Sequence, residues 1–401
     1  MFRGTVISQI IGITGAIILA KIYGSESYGI FSVFVSISSV FTIINTLQLD
    51  KSIVTAKSNI ESENLMNSLF LISSYIALTF IIIYLFIYYI FEVKLFKPSV
   101  ITLSILASII FSFNRIHESF FTYRKKFKPI SNAKIFLTFF NIIFQLLLFN
   151  NFKLTGLIYG NLISIVLIAV FYFSKNHKHL TKVDWKQLKK NIKTNSSIIK
   201  YLFPSTLINS LAINLMPILI VLFFSLKESG IYFLSLKILA TPLFLISTSI
   251  SQVYYQKSNE MYNASKEKLF EFTKKIVFIN LGLMLLFLLI MNTVGIYFLE
   301  LIFNKNWENL RYFTLILSFL ILARSSFNPI SNIIIVLNKN HVSLLFNIYL
   351  LLVNLIAVYI GYVSSSITLT IIILSILGGG GYIILLLYFL SELKDLKKNN
   401  E

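Results

Sequence analysis

Residues 76–91 and 281–291 carry no charged side chain and run into longer apolar stretches on either side. A helix needs roughly 20 apolar residues to cross a hydrocarbon core about 30 Å thick, and these stretches are long enough. Such runs admit few folds, because in lipid every backbone N–H and C=O must be satisfied within the segment or within a closed barrel. A barrel would read as alternating segments of about ten residues, and that alternation is absent. The chain is therefore expected to be all-α and polytopic. Composition agrees: 56% of the 401 residues are hydrophobic and 13% charged, too few polar side chains to cover a water-soluble surface of this size. The absence of cysteine excludes disulfides, thiolate metal sites and cysteine nucleophiles. No cofactor or metal is called for.

Twelve spans fit the hydropathy, near residues 5–22, 28–49, 65–91, 99–121, 130–149 and 154–174, then 201–226, 230–253, 273–299, 312–337, 342–363 and 367–390. The first resembles a signal peptide, with Arg3 before an apolar run, but another apolar segment follows at once and no small-x-small cleavage site stands out. A retained first helix is expected. The basic stretch 175–200 separates an N-terminal six-helix lobe (1–174) from a C-terminal one (201–391), and 392–401 forms a tail.

Twelve spans place both termini on one side. That side collects 24 Lys and Arg, eight of them in 175–200, against seven on the other. Cytoplasmic loops carry this excess, so both termini are expected in the cytoplasm. The same bias accounts for most of the net charge of +19 without a nucleic-acid partner.

The halves share an outline. Glu26-Ser27-Tyr28-Gly29-Ile30-Phe31 opens the second span and Glu228-Ser229-Gly230-Ile231-Tyr232-Phe233 the eighth. Basic residues precede the fifth span (Arg124 to Lys128) and the eleventh (Lys339), and Asn141 and Asn354 lie midway along those spans. Matching Pro129-Ile130-Ser131-Asn132 to Pro329-Ile330-Ser331-Asn332 competes with this register. Halves with an even number of spans would be parallel repeats about an axis along the membrane normal. A cavity between two bundles suits a transporter.

Arg3-Gly4-x-x-x-x-Gln9, followed by Ile18-Leu19-Ala20-Lys21-Ile22-Tyr23-Gly24-x-x-x-Tyr28-Gly29, resembles the amino terminus of polysaccharide-export flippases of the Wzx type. These belong to the superfamily of MATE exporters and lipid II flippases. Lys153-Leu154-Thr155-Gly156-Leu157-Ile158-Tyr159-Gly160-Asn161 resembles the family's entry into the sixth helix. Lys21 departs from the pattern where Arg is common, keeping the charge without the bidentate fork. The resemblance implies two six-helix lobes around a central cavity. It also implies a carrier in the bacterial inner membrane that flips an undecaprenyl-pyrophosphate-linked oligosaccharide, an O-antigen or capsule repeat unit, by alternating access. Its partners would be that lipid-linked oligosaccharide, membrane lipids, and a polysaccharide polymerase with glycosyltransferases.

A pyrophosphate passing through such a cavity calls for cations, and a charge inside the bilayer is costly unless it faces a cavity. Four basic residues lie within or at the edge of spans: Arg115, Lys134, Lys237 and Arg324. Arg115 and Arg324 fall in corresponding helices, and Arg suits phosphate through its fork. Lys134 and Lys237 stand near span ends, where snorkelling competes. Arg3 and Lys21, at opposite ends of the first span, are candidates to guard the mouths. Glu118 and Asp50 are candidates for ion coupling, although Arg115 and Glu118 at i,i+3 could simply pair. Pro204, Pro217, Pro242 and Pro329 are expected to bend spans seven, eight and ten. Gly378 to Gly381 lack a following Lys-Ser/Thr, so close packing rather than a phosphate loop is expected. His177 and His179 lie in the lysine-rich loop and make a poor metal site.

A non-enzymatic transporter is favoured. A glycosyltransferase or O-antigen polymerase would need a large outward loop, whereas the largest loops here face inward. A MATE-type exporter of small molecules is the runner-up, and a non-transporting assembly protein is disfavoured by the intramembrane cations.

Overall fold

The computed structural model describes residues 2–90, 98–180, 183, 185–303 and 307–398; the side chain of Arg3 lies outside the described residues. Among those residues there is no strand. The helices are α1 (Phe2–Thr46), α2 (Asp50–Val54), α3 (Asn59–Ile90), α4 (Pro98–Tyr123), α5 (Phe127–Leu147) and α6 (Phe149–Phe152). Then come α7 (Gly156–Asn176), α8 (Trp185–Thr194), α9 (Phe203–Phe223), α10 (Leu226–Ala264), α11 (Lys266–Ile290) and α12 (Ile296–Ile302). The chain finishes with α13 (Leu310–Phe327), α14 (Ile333–Val336), α15 (Asn340–Val363) and α16 (Ile367–Lys398).

Ten described helices are long and apolar enough to cross a membrane; the protein is a multi-pass membrane protein. The first of them, α1, carries two expected spans. It breaks at Gly24, whose φ of 75° lies in the left-handed region, where only glycine sits without a steric penalty. Each limb, 2–23 and 25–46, is about 33 Å long at 1.5 Å per residue, enough for one crossing. Tyr28 staples the two limbs by donating to the Ala16 carbonyl at 2.6 Å. The eighth expected span lies in α10, outside those ten.

The expected span 312–337 is not one helix. α13 stops at Phe327, and a 3-10 turn at Asn328–Ile330 begins with Pro329 in its first turn. There the missing N–H breaks no helical bond, so Pro329 marks a helix end rather than a bend. Pro204 follows a π-helical turn at Ile198–Leu202. Pro217 and Pro242 are interior to α9 and α10, as expected.

Contacts divide the chain into two compact units, Met1–Leu222 and Phe223–Glu401. The division lies beyond the basic stretch, so α9 goes with the first unit. That unit packs α1 against α4 and α5, and α5 against α7. The second packs α16 against α13 and α15, over a core that includes Tyr254, Leu269, Phe327, Ile330 and Phe389. Lipid tails are as apolar as leucine, so membrane helices associate through small and polar side chains. Between α1 and α4, Asn45 Nδ2 donates to Ser108 Oγ at 2.8 Å, and Ser38, Ser104 and Ser112 are buried. Outward faces are apolar instead, as with the exposed Tyr75, Ile82 and Phe86 of α3. In α16, a Cβ at Gly379 or Gly381 would press on Phe319 or Tyr349, in keeping with close packing at the glycine run.

Candidate functional site

α4 turns a polar stripe into the first unit. Asn114, Arg115 and Glu118 from this helix meet Ser39 and Thr42 of α1, Lys134 of α5, Tyr172 of α7 and Ser210 of α9 around a cavity of about 390 Å³. Phe111, Leu137 and Ile168 supply the apolar wall.

Arg115 is held from behind. Its Nε donates to Asp50 Oδ2 at 2.8 Å, and its Nη2 donates to Gln48 Oε1 at 2.9 Å. The Asp50 side chain is 4% exposed and that of Arg115 30%, so the acid is sealed in while the guanidinium still reaches the cavity. The chain builds this cradle by an unusual turn between α1 and α2. Leu47 and Gln48 both take positive φ, 48° and 59°, a conformation that non-glycine residues adopt only where surroundings impose it. The turn brings Gln48 and Asp50 back beneath α4. One atom of each, Gln48 Nε2 and Asp50 Oδ1, is buried without a partner among the described residues.

Glu118 lies on the same face as Arg115, yet the two form no ion pair. Tyr172 instead donates its hydroxyl to Glu118 Oε1 at 3.0 Å. Arg115 turns to the more deeply buried Asp50, which takes its charge at shorter range. Lys134 lines the cavity and reaches Thr5 Oγ1 at 3.5 Å. The site therefore sets two cations, Arg115 and Lys134, against two carboxylates, Asp50 and Glu118.

The other candidates lie elsewhere. Lys21 is exposed, and the side chain of Arg3 lies outside the described residues. In the second unit Arg324 lies on α13, within electrostatic reach of Tyr232, and Lys237 is half-buried on α10. Neither has an ion pair or side-chain hydrogen bond among the described residues, and α13 contains no acid.

Sequence reasoning missed Gln48, Asn114 and Tyr172. The only signal was a polar residue interrupting an apolar face, which does not reveal a partner dozens of positions away. It also missed a clasp outside the cavity. Glu63 Oε1 accepts from Arg124 Nη2 at 2.6 Å and from His179 Nδ1 at 2.8 Å, and both Arg124 and His179 lie over Phe120. His179 is thus fastened to α3 rather than free in a solvated loop. Among the described residues no cluster of His, Cys, Asp and Glu could hold a metal ion.

The family model for "polysaccharide biosynthesis protein" matches residues 18–311. No curated protein sequence matches. Among solved structures, a lipid II flippase, MurJ, in an inward closed conformation aligns with a TM-score of 0.76 at 16% identity, covering 98% of this chain and 87% of that one. An inward-facing multidrug resistance MATE family transporter of the MOP superfamily aligns with 0.69 at 16% identity, over 98% and 96%. A MOP superfamily transporter from Pyrococcus furiosus gives 0.54 at 16% identity, over 99% and 96%. At these identities the likeness is one of fold.

Proposed function

Since this chain belongs to the polysaccharide biosynthesis protein family, we propose that it is a flippase that moves a lipid-linked oligosaccharide, carried on undecaprenyl pyrophosphate, across the bacterial inner membrane by alternating access. The observation that carries the proposal is a cavity among membrane-spanning helices whose largely apolar wall carries the charged side chains of Arg115, Lys134 and Glu118. Charges at such depth are costly unless they serve a passage or a substrate. The fold shared with a lipid II flippase supports the substrate class. The work is transport without covalent chemistry, both termini lie in the cytoplasm, and a polymerase and glycosyltransferases act on the same glycan before and after it.

In this reading the cations named from the sequence serve the lipid-linked substrate, with Arg115 in the first unit and Arg324 in the second as the principal pair. Glycan export is measured in cells lacking their own flippase, with membrane levels of each variant checked by immunoblot. The Arg115→Ala, Arg324→Ala double variant should insert normally and export poorly, and Lys at either position should restore part of the activity. Full export by the double variant would overturn the role given to these arginines. One observation favours a second reading: Glu118 faces the cavity with one oxygen free, as an exporter of organic cations would need. Resistance to cationic dyes conferred by the wild type, lost on Glu118→Gln while glycan export is unchanged, would establish that reading instead.

A further inference from the structure

We propose that the first-unit cavity is a carbohydrate subsite that takes the hydroxyl groups of the glycan, leaving the pyrophosphate to cations elsewhere. The inference rests on the flippase reading and adds which part of the substrate this cavity holds.

Several hydrogen-bonding groups around the cavity keep a donor or acceptor without a partner among the described residues. The Ser39 hydroxyl spends its proton on the Val35 carbonyl at 2.7 Å, and Thr42 spends its own on the Ser38 carbonyl at 2.7 Å. Tyr172 donates to Glu118. The Ser39 and Thr42 oxygens keep lone pairs and no free proton, so toward the cavity each is an acceptor, whereas the Tyr172 side chain is fully buried and serves only to fix Glu118. Asn114 uses its Nδ2 on the Ile165 carbonyl at 3.1 Å, while its Oδ1 is buried with no partner among the described residues. The residue is 8% exposed, and a buried acceptor left unmet is destabilising unless something donates to it. The free oxygen of Glu118 adds a further acceptor. On the donor side Arg115 has committed one hydrogen each of Nε and Nη2 to Asp50 and Gln48, leaving its other N–H groups, the Lys134 ammonium, and the proton of Ser210, whose hydroxyl accepts from Asn214 Nδ2 at 3.3 Å.

An ionised pyrophosphate has only acceptor oxygens. Placed here it would leave Asn114 Oδ1, Ser39 and Thr42 unmatched and would face the Glu118 carboxylate. A sugar hydroxyl donates one hydrogen bond and accepts others, and a pyranose carries several around its rim. It matches an acceptor-rich wall with a few cationic donors, and it needs no net charge from the site. The cavity of about 390 Å³ falls within the roughly 300–1,000 Å³ usual for small-molecule pockets. Arg324 and Lys237, unpaired among the described residues, remain for the phosphates.

The test compares two probes on the full chain in nanodiscs: bare undecaprenyl pyrophosphate, and the same lipid carrying the repeat unit made by the native host. The variants are Asn114→Ala and the near-isosteric Thr42→Val, with Thr42→Ser as the conservative control. Together the first two should weaken binding of the glycosylated lipid roughly tenfold, leave bare-lipid binding within about twofold, and be partly rescued by serine at 42. Equal loss of both probes would mean the cavity holds the phosphate, and no loss of either would mean it holds neither part; each overturns the assignment. Wild-type protein that retains neither probe removes the flippase reading itself, a result separable from the other two because it appears before any substitution is made.

Discussion

Asp50 offers the sharpest separation between a residue that carries a coupling ion and one that aims its neighbour. It is the ion-pair partner of Arg115, with a side chain only 4% exposed against 30% for the arginine. Removing one side of a fully buried pair costs about 3–5 kcal/mol. The Arg115 side chain is itself 30% exposed, so the pair is only partly buried and the cost of Asp50→Ala falls toward the worth of a charged hydrogen bond, about 2 kcal/mol. Asp50→Asn keeps an acceptor oxygen in place and loses the charge, which accounts for roughly half the strength of such a bond; its cost should be near 1 kcal/mol. Thermal unfolding in detergent should therefore rank wild type, Asn, then Ala, and export per folded molecule should follow the same order with Asn retaining most activity. A coupling acid behaves otherwise, since asparagine cannot carry a proton and would abolish export as fully as alanine. Asp50→Asn protein as stable as wild type but devoid of export would refute the positioning role, as would an Asp50→Ala variant with no loss of stability.

A Cβ at Gly156 would overlap the Tyr23 hydroxyl and sit 3.0 Å from Cε1 and Cζ of its ring, and that hydroxyl is engaged with the Gln145 carbonyl. Gly156→Ala should cost about 1–3 kcal/mol, and a cycle with Tyr23→Phe should show coupling of at least about 1 kcal/mol; additive losses would show that the contact is relieved elsewhere. Reporter fusions at Trp185 and at Glu401 should both read as cytoplasmic, given 24 basic residues on that side against seven; an outward signal at either position would break the twelve-span topology.

The spans were legible because hydropathy is a property of neighbouring residues, and so was the all-α class. What escaped the sequence is what depends on backbone geometry or distant pairing. The limbs of α1 remain one stretch because Gly24 turns the chain without a loop, and α13 ends early because Asn328–Ile330 tightens into a 3-10 turn. The motifs that pointed to the family have a structural reason. The Tyr23 ring meets Phe149 edge-on at 4.9 Å, and Gln145 Nε2 donates to the Leu157 carbonyl at 2.8 Å. Tyr23, Gly156 and Gly160 thus belong to one packing device between α1, α5 and α7, and such residues mark a fold whatever its cargo.

The cations illustrate the same limit at the site. By sequence, Arg115 and Arg324 are equivalent: each is an arginine in a span, in corresponding helices of two similar halves. Only the turn at Leu47 and Gln48, which carries Asp50 under α4, tells them apart. An arginine with a sealed counter-ion has most of its field cancelled, and what it offers a substrate is a fixed direction for its remaining donors. An arginine without one keeps its full charge, at a desolvation cost that a passing anion can offset. A cavity that pairs its cations discriminates by hydrogen-bond pattern, while unpaired cations discriminate by charge. On the proposed reading, a lipid-linked glycan would offer a part suited to each, a polyhydroxylated head and an anionic linker, and holding both in one cycle would give reason to keep Arg115 and Arg324 in different electrostatic settings.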